Sequence, residues 1–275
     1  QLFLYRNRQD MDKDTLTHEL RSESGASIEF LNAEEILEIE PAITPIFEAG
    51  YLMPDNGHCK DPFGLANGLV KMFVQKGGDL VKADVLDFIF DADGVSGLST
   101  SSVVLNTRRV VIAAGVWSKT LCERLGLPVP LESHRGYHAT IENSNISLRH
   151  MCFPVDYKFA ITPMSMGLRI AGTVEFAGLG DPPNYERVDK MIQSCHTILN
   201  GLNSEHHTRW MGHRPCLPDS LPIIGESGKH PNIFFAFGHG HQGLVGASQT
   251  GKVIDEIVRG VVPSMNLSPF RIDRF

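Results

Sequence analysis

The feature that most constrains the fold is an apolar strand that runs directly into a glycine-rich turn and then into a helix. Residues 232–237 (NIFFAF) form a short apolar run with aromatic side chains, which is typical of a buried strand. Gly238, Gly240 and Gly243 follow, and the apolar periodicity of residues 244–259 predicts a helix. Such a turn lets a flat or charged ligand approach the backbone, and the helix N-terminus favours negative charge.

The glycines of residues 238–243 also spell G-x-G-x-x-G, the fingerprint of dinucleotide-binding sites. That fingerprint requires a second parallel strand after the helix and an acidic residue roughly 20 positions further on. Here Pro263 closely follows the helix and excludes a central strand, and no carboxylate stands where the ribose would bind. The pattern therefore does not predict a nicotinamide or ADP site. A glycine-rich turn without any ligand remains an alternative.

Arg214 stands upstream of this turn, in the stretch Trp210-Met211-Gly212-His213. An arginine in an apolar stretch either pairs with a carboxylate of the protein or presents its planar fork to an anionic ligand. Asp219 is the nearest acidic candidate in the sequence. The residues alone leave both interpretations open.

Three motifs in this part of the chain carry a resemblance to a known family. They are W-x-G-x-R-P at residues 210–215, P-D-x-x-P-x-I-G at residues 218–225 and F-x-x-G-x-x-x-x-G at residues 235–243. Together they resemble the D-amino-acid oxidase/dehydrogenase family of FAD-dependent oxidoreductases, most closely the small subunits of bacterial D-amino acid dehydrogenases. The similarity extends more weakly over the whole chain. It implies a mixed α/β and α+β fold, with a truncated FAD-binding Rossmann-like domain and an antiparallel-sheet substrate domain.

The resemblance also implies how the chain is divided. Residues 1–60 and 128–216 are expected in the substrate domain, and residues 61–127 and 217–275 in the FAD-binding domain. Enzymes of this family open with a βαβ unit whose G-x-G-x-x-G holds the ADP half of FAD. The present sequence begins at Gln1 in a strand-like run and contains no such unit. We therefore expect the N-terminal ADP-binding unit to be missing from this chain.

Local patterns predict the elements between the motifs. Asp61 and Pro62 predict the start of an amphipathic helix that continues to Gln75, with one apolar face made of Leu65, Leu69, Val70 and Phe73. Residues 80–115 predict three strands. The last of them, residues 103–114, ends in an apolar run typical of a strand that is buried on both faces of a parallel sheet.

The following part of the chain changes character. Alternating polar and apolar residues predict antiparallel strands at residues 134–142, 151–162 and 168–176. The apolar period of residues 185–199 predicts a helix.

Composition narrows the classes of protein. The net charge of −7, from 25 basic and 32 acidic residues, argues against nucleic-acid binding. No apolar run reaches the ~18 residues of a membrane span, so we expect a cytoplasmic protein, either free or peripheral to the inner membrane. The five cysteines are widely spaced and read as free thiols. No set of residues converges in sequence as metal ligands, and no metal is predicted.

Candidate site residues follow from the resemblance and from their positions. The residues expected to lie beside FAD are Ala114, Gly115, Trp117, Gly238, Gly240, His241, Gln242, Gly243 and Leu244. For Trp117, a position in the core is an equal alternative. Arg214, Arg135 and Tyr137 are the candidates for binding the substrate, although a solvated strand face is the preferred interpretation for Arg135 and for Tyr137 taken singly. Arg214, His239 and His241 form the predicted catalytic set.

The implied function is the oxidative deamination of a D-amino acid, with hydride transfer from the α carbon to flavin N5. Arg214 would hold the substrate carboxylate, and the helix that begins near Leu244 would face the N1–C2=O edge of the flavin, where charge accumulates. His239 and His241 would shape the pocket, because a neutral amine requires no dedicated base. Electrons would pass to a quinone or to oxygen. Glycine, sarcosine, proline or a 2-hydroxy acid is an alternative substrate, and an inactive fragment without FAD is an alternative function.

Overall fold

The computed structural model describes all residues from Gln1 to Phe275. The helices are α1 Arg8–Lys13, α2 Thr15–Glu23, α3 Ala33–Ile39, α4 Pro62–Gln75, α5 Ser118–Arg124, α6 Glu186–Ile198 and α7 Gly243–Val258. The first seven strands are β1 Leu2–Tyr5, β2 Glu29–Asn32, β3 Ala49–Leu52, β4 Val85–Asp91, β5 Gly94–Thr100, β6 Val104–Asn106 and β7 Val110–Ile112. The other strands are β8 Glu132–Ile141, β9 Cys152–Pro154, β10 Phe159–Met164, β11 Gly167–Phe176, β12 His207–Cys216, β13 Ile223–Glu226 and β14 Ile233–Phe237.

The chain forms two compact units. The first unit comprises Gln1–Gly78, Gly136–Val174 and Pro182–Gly212. The second unit comprises Asp79–Arg135, Glu175–Asp181 and His213–Phe275. Short 3-10 helices occur at Gly115–Trp117, Val155–Tyr157, Ser268–Phe270 and Ile272–Arg274.

The first unit is organised on a mixed sheet of eight strands with the order β12-β8-β11-β10-β9-β1-β3-β2. Alternation along β1 gives the sheet two apolar faces, because successive side chains of a strand point to opposite sides. Leu2 and Leu4 belong to a buried cluster with Val188 and Ile198 of α6. Tyr5 belongs to a separate cluster that includes Met11 of α1.

The second unit contains two small sheets. The order β13-β14-β7 places β14 in the centre, antiparallel to β13 and parallel to β7. The order β4-β5-β6 is antiparallel throughout. Ile112, Ile223 and Phe235 are buried together in one core. Parallel and antiparallel pairing in the same chain confirms the predicted mixed α/β class.

Three local expectations need correction. The segment 103–114 forms two short strands, β6 and β7, instead of one. The expectation that the apolar end of this segment is buried on both faces is wrong, because β7 is an edge strand and Val111 is 41% exposed. The predicted strand 151–162 is divided by the 3-10 helix Val155–Tyr157, after which Lys158 adopts a left-handed backbone conformation with φ of 57° that ends the extended run.

Helix α4 is present as predicted, with Asp61 accepting a hydrogen bond from the Gly64 amide at 2.8 Å. It belongs to the first unit, whereas the resemblance places it with the FAD-binding portion. Its apolar face is not buried, and Leu69 and Phe73 are both more than half exposed.

Candidate active site

The glycine turn after β14 is shaped by close packing against the end of β12. Gly238 has a φ of 85°, and a Cβ atom there would lie 2.6 Å from Cδ1 of Leu217. The Gly240 amide donates a hydrogen bond to the Pro215 carbonyl at 2.9 Å. Because α7 begins at Gly243 and its N-cap residue makes no side-chain hydrogen bond, the first amides of the helix are not capped by a side chain.

A cavity of about 630 Å³ in the second unit opens beside this turn. It is lined by Pro130, Glu132, His134, Cys216, Leu217, Pro218, Ser220, Gly238, His239, Gly240, His241 and Gln242. Five of the predicted site residues therefore border one cavity: Gly238, His239, Gly240, His241 and Gln242. The sequence interpretation missed Glu132 and His134, although the period of two along their strand offered the signal, since Arg135 was chosen from the opposite face.

Arg214 lies near the end of β12, close to two residues that line this cavity. Burial is the largest contribution that lowers the pKa of His241, and the charges of Arg214 and His134 lower it further. Burial also raises the pKa of the Cys216 thiol, while Arg214 opposes that change. The positive charge of Arg214 therefore influences the pKa values of two residues that line the cavity and belong to the same unit.

Asp219, the acidic candidate for Arg214, is bound by another arginine. The Arg274 guanidinium lies 2.7 Å from the Asp219 carboxylate through Nε and also donates to the Leu221 carbonyl at 2.7 Å. These bonds hold the C-terminal 3-10 helix to the turn that follows β12.

His239 is turned toward α7. Its Nε2 atom lies 2.9 Å from the Thr250 hydroxyl, and a Cβ on Gly246 would stand 3.6 Å from the imidazole. Burial lowers the pKa of His239. The hydrogen bond to Thr250 fixes the ring, which favours a structural role over the predicted catalytic one.

The structure places the two remaining substrate candidates in packed surroundings. Arg135 is fully buried and donates to the carbonyls of Gly178 and, at 2.7 Å, of Asp181. Tyr137 is 1% exposed in the core of the first unit, where its hydroxyl accepts a hydrogen bond from the Asn184 amide at 3.0 Å. Both placements favour packing over contact with a substrate.

A second cavity of about 480 Å³ lies elsewhere in the second unit. Its lining consists of Ala83, Asp84, Val85, Ala114, Trp117, Thr120, Leu121 and Arg124. Gly115 has a φ of 57°, and no atom lies within 4 Å of the position that a Cβ would take. Trp117 is 58% exposed, so it is not the buried core residue of the alternative interpretation.

Two general features of the chain bear on its chemistry. No group of three or more histidine, cysteine, aspartate or glutamate side chains is arranged to hold a metal ion. None of the helices combines the length and the apolar composition that a membrane span requires.

Comparison with known proteins identifies the family. Residues 1–257 match the family model described as FAD dependent oxidoreductase. The chain belongs to this family. A D-amino-acid oxidase of Bradyrhizobium diazoefficiens is 34% identical over 273 residues, which cover 98% of this chain and 65% of the relative. The chain thus spans slightly less than two thirds of that oxidase.

Solved structures agree with this membership at the level of the fold. Glycine oxidase from Geobacillus kaustophilus superposes with a TM-score of 0.88 at 22% identity, covering 100% of this chain and 74% of that one. L-proline dehydrogenase from P. horikoshii superposes with a TM-score of 0.81 at 21% identity, covering 100% of this chain and 75% of that one. The predicted membership in a family of FAD-dependent oxidoreductases is confirmed.

The residues of this family member fit the FAD that characterises the family. The open space above Gly115 and the exposed ring of Trp117 suit a flat group next to the second cavity. The first turn of α7 contains no acidic residue and no side-chain cap, so its amides and dipole suit a group that carries negative charge. Leu244 is 53% exposed on that turn.

Proposed function

We propose that the protein is an FAD-dependent oxidoreductase that converts a D-amino acid to its imino acid. The observation that carries the proposal is the placement of Arg214 beside the wall of the cavity formed by the glycine turn. When bound, FAD would accept a hydride from the α carbon of the substrate. The protein then has to bind the amino acid, orient it and provide a suitable electrostatic environment.

Arg214 holds the substrate carboxylate. Its planar fork matches the two carboxylate oxygens, and such a bidentate pair fixes both position and orientation. Burial lowers the pKa of Arg214 from its ordinary high value, and a guanidinium nevertheless stays charged at every physiological pH. Partial burial strengthens the attraction, because the dielectric around the pair is lower than in water.

The amides at the start of α7 and the turn Gly238–Gly243 provide the environment for negative charge. Uncapped amides at a helix N-terminus carry a partial positive charge and are fixed in place before reaction. Gly240 is held by its hydrogen bond to Pro215, so this part of the turn does not need to reorganise. We assign Gly238, Gly240, Gln242, Gly243 and Leu244 to this surface, and Ala114, Gly115 and Trp117 to the rest of the cofactor site.

No histidine of the cavity is assigned as a general base. Burial lowers the pKa values of His239 and His241, which favours the neutral form of both imidazoles in the free protein. An amine that enters in its neutral form needs no proton acceptor at the α carbon during hydride transfer.

The preference for a D-amino acid is supported by the 34% identity to the D-amino-acid oxidase. Glycine and L-proline are the alternatives, since enzymes named for them share the fold. Arg214 would hold any of these small carboxylates.

The test is anaerobic reduction of the FAD-loaded protein. We expect a visible flavin band that bleaches with D-alanine and persists with L-alanine, glycine or L-proline. Bleaching by glycine or L-proline alone would replace the substrate assignment. Purified protein that binds no FAD, even after incubation with an excess of the cofactor, would refute the proposed function and favour the inactive fragment.

A further inference from the structure

Two histidines of the cavity wall have no role in the function proposed above. His134 lies at the start of β8, and His241 lies in the glycine turn. Neither imidazole forms a hydrogen bond with the protein, whereas His239 in the same wall is held by Thr250. His134 only packs edge-on against Phe176, with ring centroids 4.6 Å apart. Two imidazoles with free hydrogen-bonding capacity thus face one cavity.

Arg214, His134 and His241 are three groups around this cavity that can carry positive charge. Arg214 and His134 both disfavour protonation of His241, which places the three groups within electrostatic range of one another. Glu132 is the single acidic residue of the lining, and Lys119 pairs with it at 2.8 Å. The nearby Asp219 is bound by Arg274. Two titratable groups of the lining remain. His239 is held by Thr250 and its pKa is lowered by burial, and the pKa of the Cys216 thiol is raised by burial, so both are neutral.

A single carboxylate on the substrate would not give each of these three groups an anionic partner. In the proposed function, the α-carboxylate of the substrate is bound by Arg214, which leaves His134 and His241 without an anionic partner. A second carboxylate between the imidazoles would accept hydrogen bonds from both and would replace their mutual repulsion by attraction. The cavity volume of about 630 Å³ lies within the usual range for small ligands.

We propose that His134 and His241 bind a second carboxylate of the substrate, so that the preferred substrate class is an acidic amino acid with a carboxylate on its side chain. This inference rests on the proposed function, in which Arg214 holds the first carboxylate. His134 and His241 determine specificity, and the chemical step does not involve them.

The preference for a dicarboxylate should depend on pH in one direction. Each imidazole attracts a carboxylate strongly only when it is protonated, and the bound carboxylate stabilises that protonated form. Preference for the dicarboxylate is therefore greatest at low pH and is lost as the pH rises. Binding also takes up a proton at His241, because its pKa in the free protein is lowered by burial and by the charges of Arg214 and His134.

The experiment compares succinate with butyrate as ligands of the FAD-loaded protein, since the two differ only by a carboxylate in place of a methyl group. Dissociation constants are measured by titration calorimetry at about pH 6 and about pH 8; because burial lowers the pKa of His241, its protonation at the lower pH depends on the bound carboxylate. At about pH 6 we expect succinate to bind about tenfold more tightly or better, as one or two charge-assisted hydrogen bonds provide. The ratio of the butyrate dissociation constant to the succinate dissociation constant should be smaller at the higher pH. Binding heats measured in two buffers of different ionisation enthalpy should show proton uptake.

Variants identify the residues responsible. His134→Gln and His241→Gln should each reduce this ratio of dissociation constants, and the double variant should bring it close to one. His206→Gln removes an exposed histidine of the first unit and should leave the ratio unchanged. In parallel, the wild type should oxidise D-aspartate with a higher kcat/KM than D-2-aminobutyrate, its methyl analogue.

Several outcomes would overturn the inference. A wild-type ratio near one at the lower pH excludes a second carboxylate site without requiring any variant. A ratio that survives in the double variant places the recognition elsewhere. A shifted flavin midpoint potential in the double variant, with an unchanged ratio, assigns the histidines to the cofactor. Loss of binding of both ligands in Arg214→Lys concerns only the proposed function, whereas butyrate binding that survives alongside a ratio of one refutes only this inference.

Discussion

His239 and Thr250 are joined by a hydrogen bond of 2.9 Å between the imidazole Nε2 and the hydroxyl oxygen. The bond links the glycine turn to the second turn of α7, so the turn is attached to the helix whose N-terminus it leads into. The ring packs against the helix at Gly246, where a Cβ would make an ordinary van der Waals contact with it at 3.6 Å. One polar pair therefore fixes the turn that borders the cavity.

Replacing Thr250 by Val should release this turn. Val keeps the branched shape of Thr and removes the hydroxyl, so the half-buried imidazole loses a partner at a cost of about 1 kcal/mol in the free energy of unfolding. Thr250→Ser keeps the hydroxyl and serves as the matched control. Urea denaturation of both variants measures the difference. Equal stability of Val and Ser variants would show that the hydrogen bond contributes nothing.

Arg214→Lys should weaken binding of monocarboxylate ligands by roughly 10- to 100-fold, because an ammonium cannot reproduce two parallel hydrogen bonds. The apparent dissociation constant of butyrate, measured by titration calorimetry, reports this loss directly. Arg209→Lys is the control, since Arg209 is exposed and pairs with Asp189 at 3.3 Å in the first unit. An unchanged constant in the Arg214 variant would remove this residue from the binding site.

Glu40 is fully buried at the end of α3 and accepts three hydrogen bonds of 2.7–2.9 Å from the Arg149 amide, the His150 amide and His150 Nδ1. Glu40→Ala leaves these donors without their acceptor and should cost about 3 kcal/mol of unfolding free energy. Glu38→Ala, at an exposed position of the same helix, should change it by less than about 0.5 kcal/mol. Chemical denaturation followed by circular dichroism measures both, and similar values for the two variants would contradict the assigned role.

Gly212 lies directly under the indole ring of Trp210. A Cβ at this position would stand 1.9 Å from the ring, so Gly212→Ala must displace the indole from its stack on His138, where the ring centroids are 4.9 Å apart. We expect a changed near-ultraviolet circular dichroism spectrum and a loss of about 1 kcal/mol or less, because Trp210 is 55% exposed and its indole can move into solvent.

The control for this change is Gly68→Ala in α4. A Cβ on Gly68 meets no atom within 4 Å, and alanine favours a helix by about 1 kcal/mol over glycine. The control should therefore be as stable as the wild type or more so. A Gly212 variant with an unchanged spectrum would show that the ring has room to move without leaving its stack.

The salt bridge between Asp219 and Arg274 should make stability depend on pH. The hydrogen bond from Arg274 is the largest contribution that lowers the pKa of Asp219, with further contributions from the Leu221 amide. A carboxyl group whose pKa is lower in the folded state stabilises the protein above its unfolded-state pKa of about 3.9, and this stability is lost as the pH falls through the folded-state value. The Asp219 side chain is 35% exposed, so the effect is small.

The measurement is the denaturation midpoint between about pH 6 and about pH 3, a window that contains the carboxyl pKa values. Arg274→Ala should show a shallower decline than the wild type over this range. Arg259→Ala is the control, because Arg259 is exposed and pairs with the exposed Asp255 at 3.3 Å at the C-terminal end of α7. Parallel curves for the wild type and Arg274→Ala would mean that Asp219 is not stabilised by this arginine.

Much of the local structure could be predicted because it depends on neighbouring residues. The strand at Ile233–Phe237, the glycine turn and the helix at Gly243–Val258 lie within one or two residues of their predicted bounds. Asp61 and Pro62 place the start of α4 correctly, since capping depends on the first turn alone. The failures occur where distant segments decide the outcome, as at Val111, whose exposure follows from the position of β7 at a sheet edge.

The candidate site shows the same division. Sequence patterns predicted the turn at residues 238–243, but they preferred Arg135 to His134 on β8. Neighbours in a strand point to opposite faces, and the sequence does not state which face borders a cavity. In the fold, Arg135 is fully buried and bound to Asp181, and His134 lines the cavity.

By itself, the sequence determined the element types, the glycine turn with its helix and the family, because these depend on residues that are close together in the chain. The tertiary structure alone decided which side chains share a cavity and which charges are already paired. Arg274 reaches Asp219 across 55 positions, and the turn at Gly240 meets Pro215 only after the chain has folded back. Such contacts depend on packing between distant segments, which no local pattern specifies.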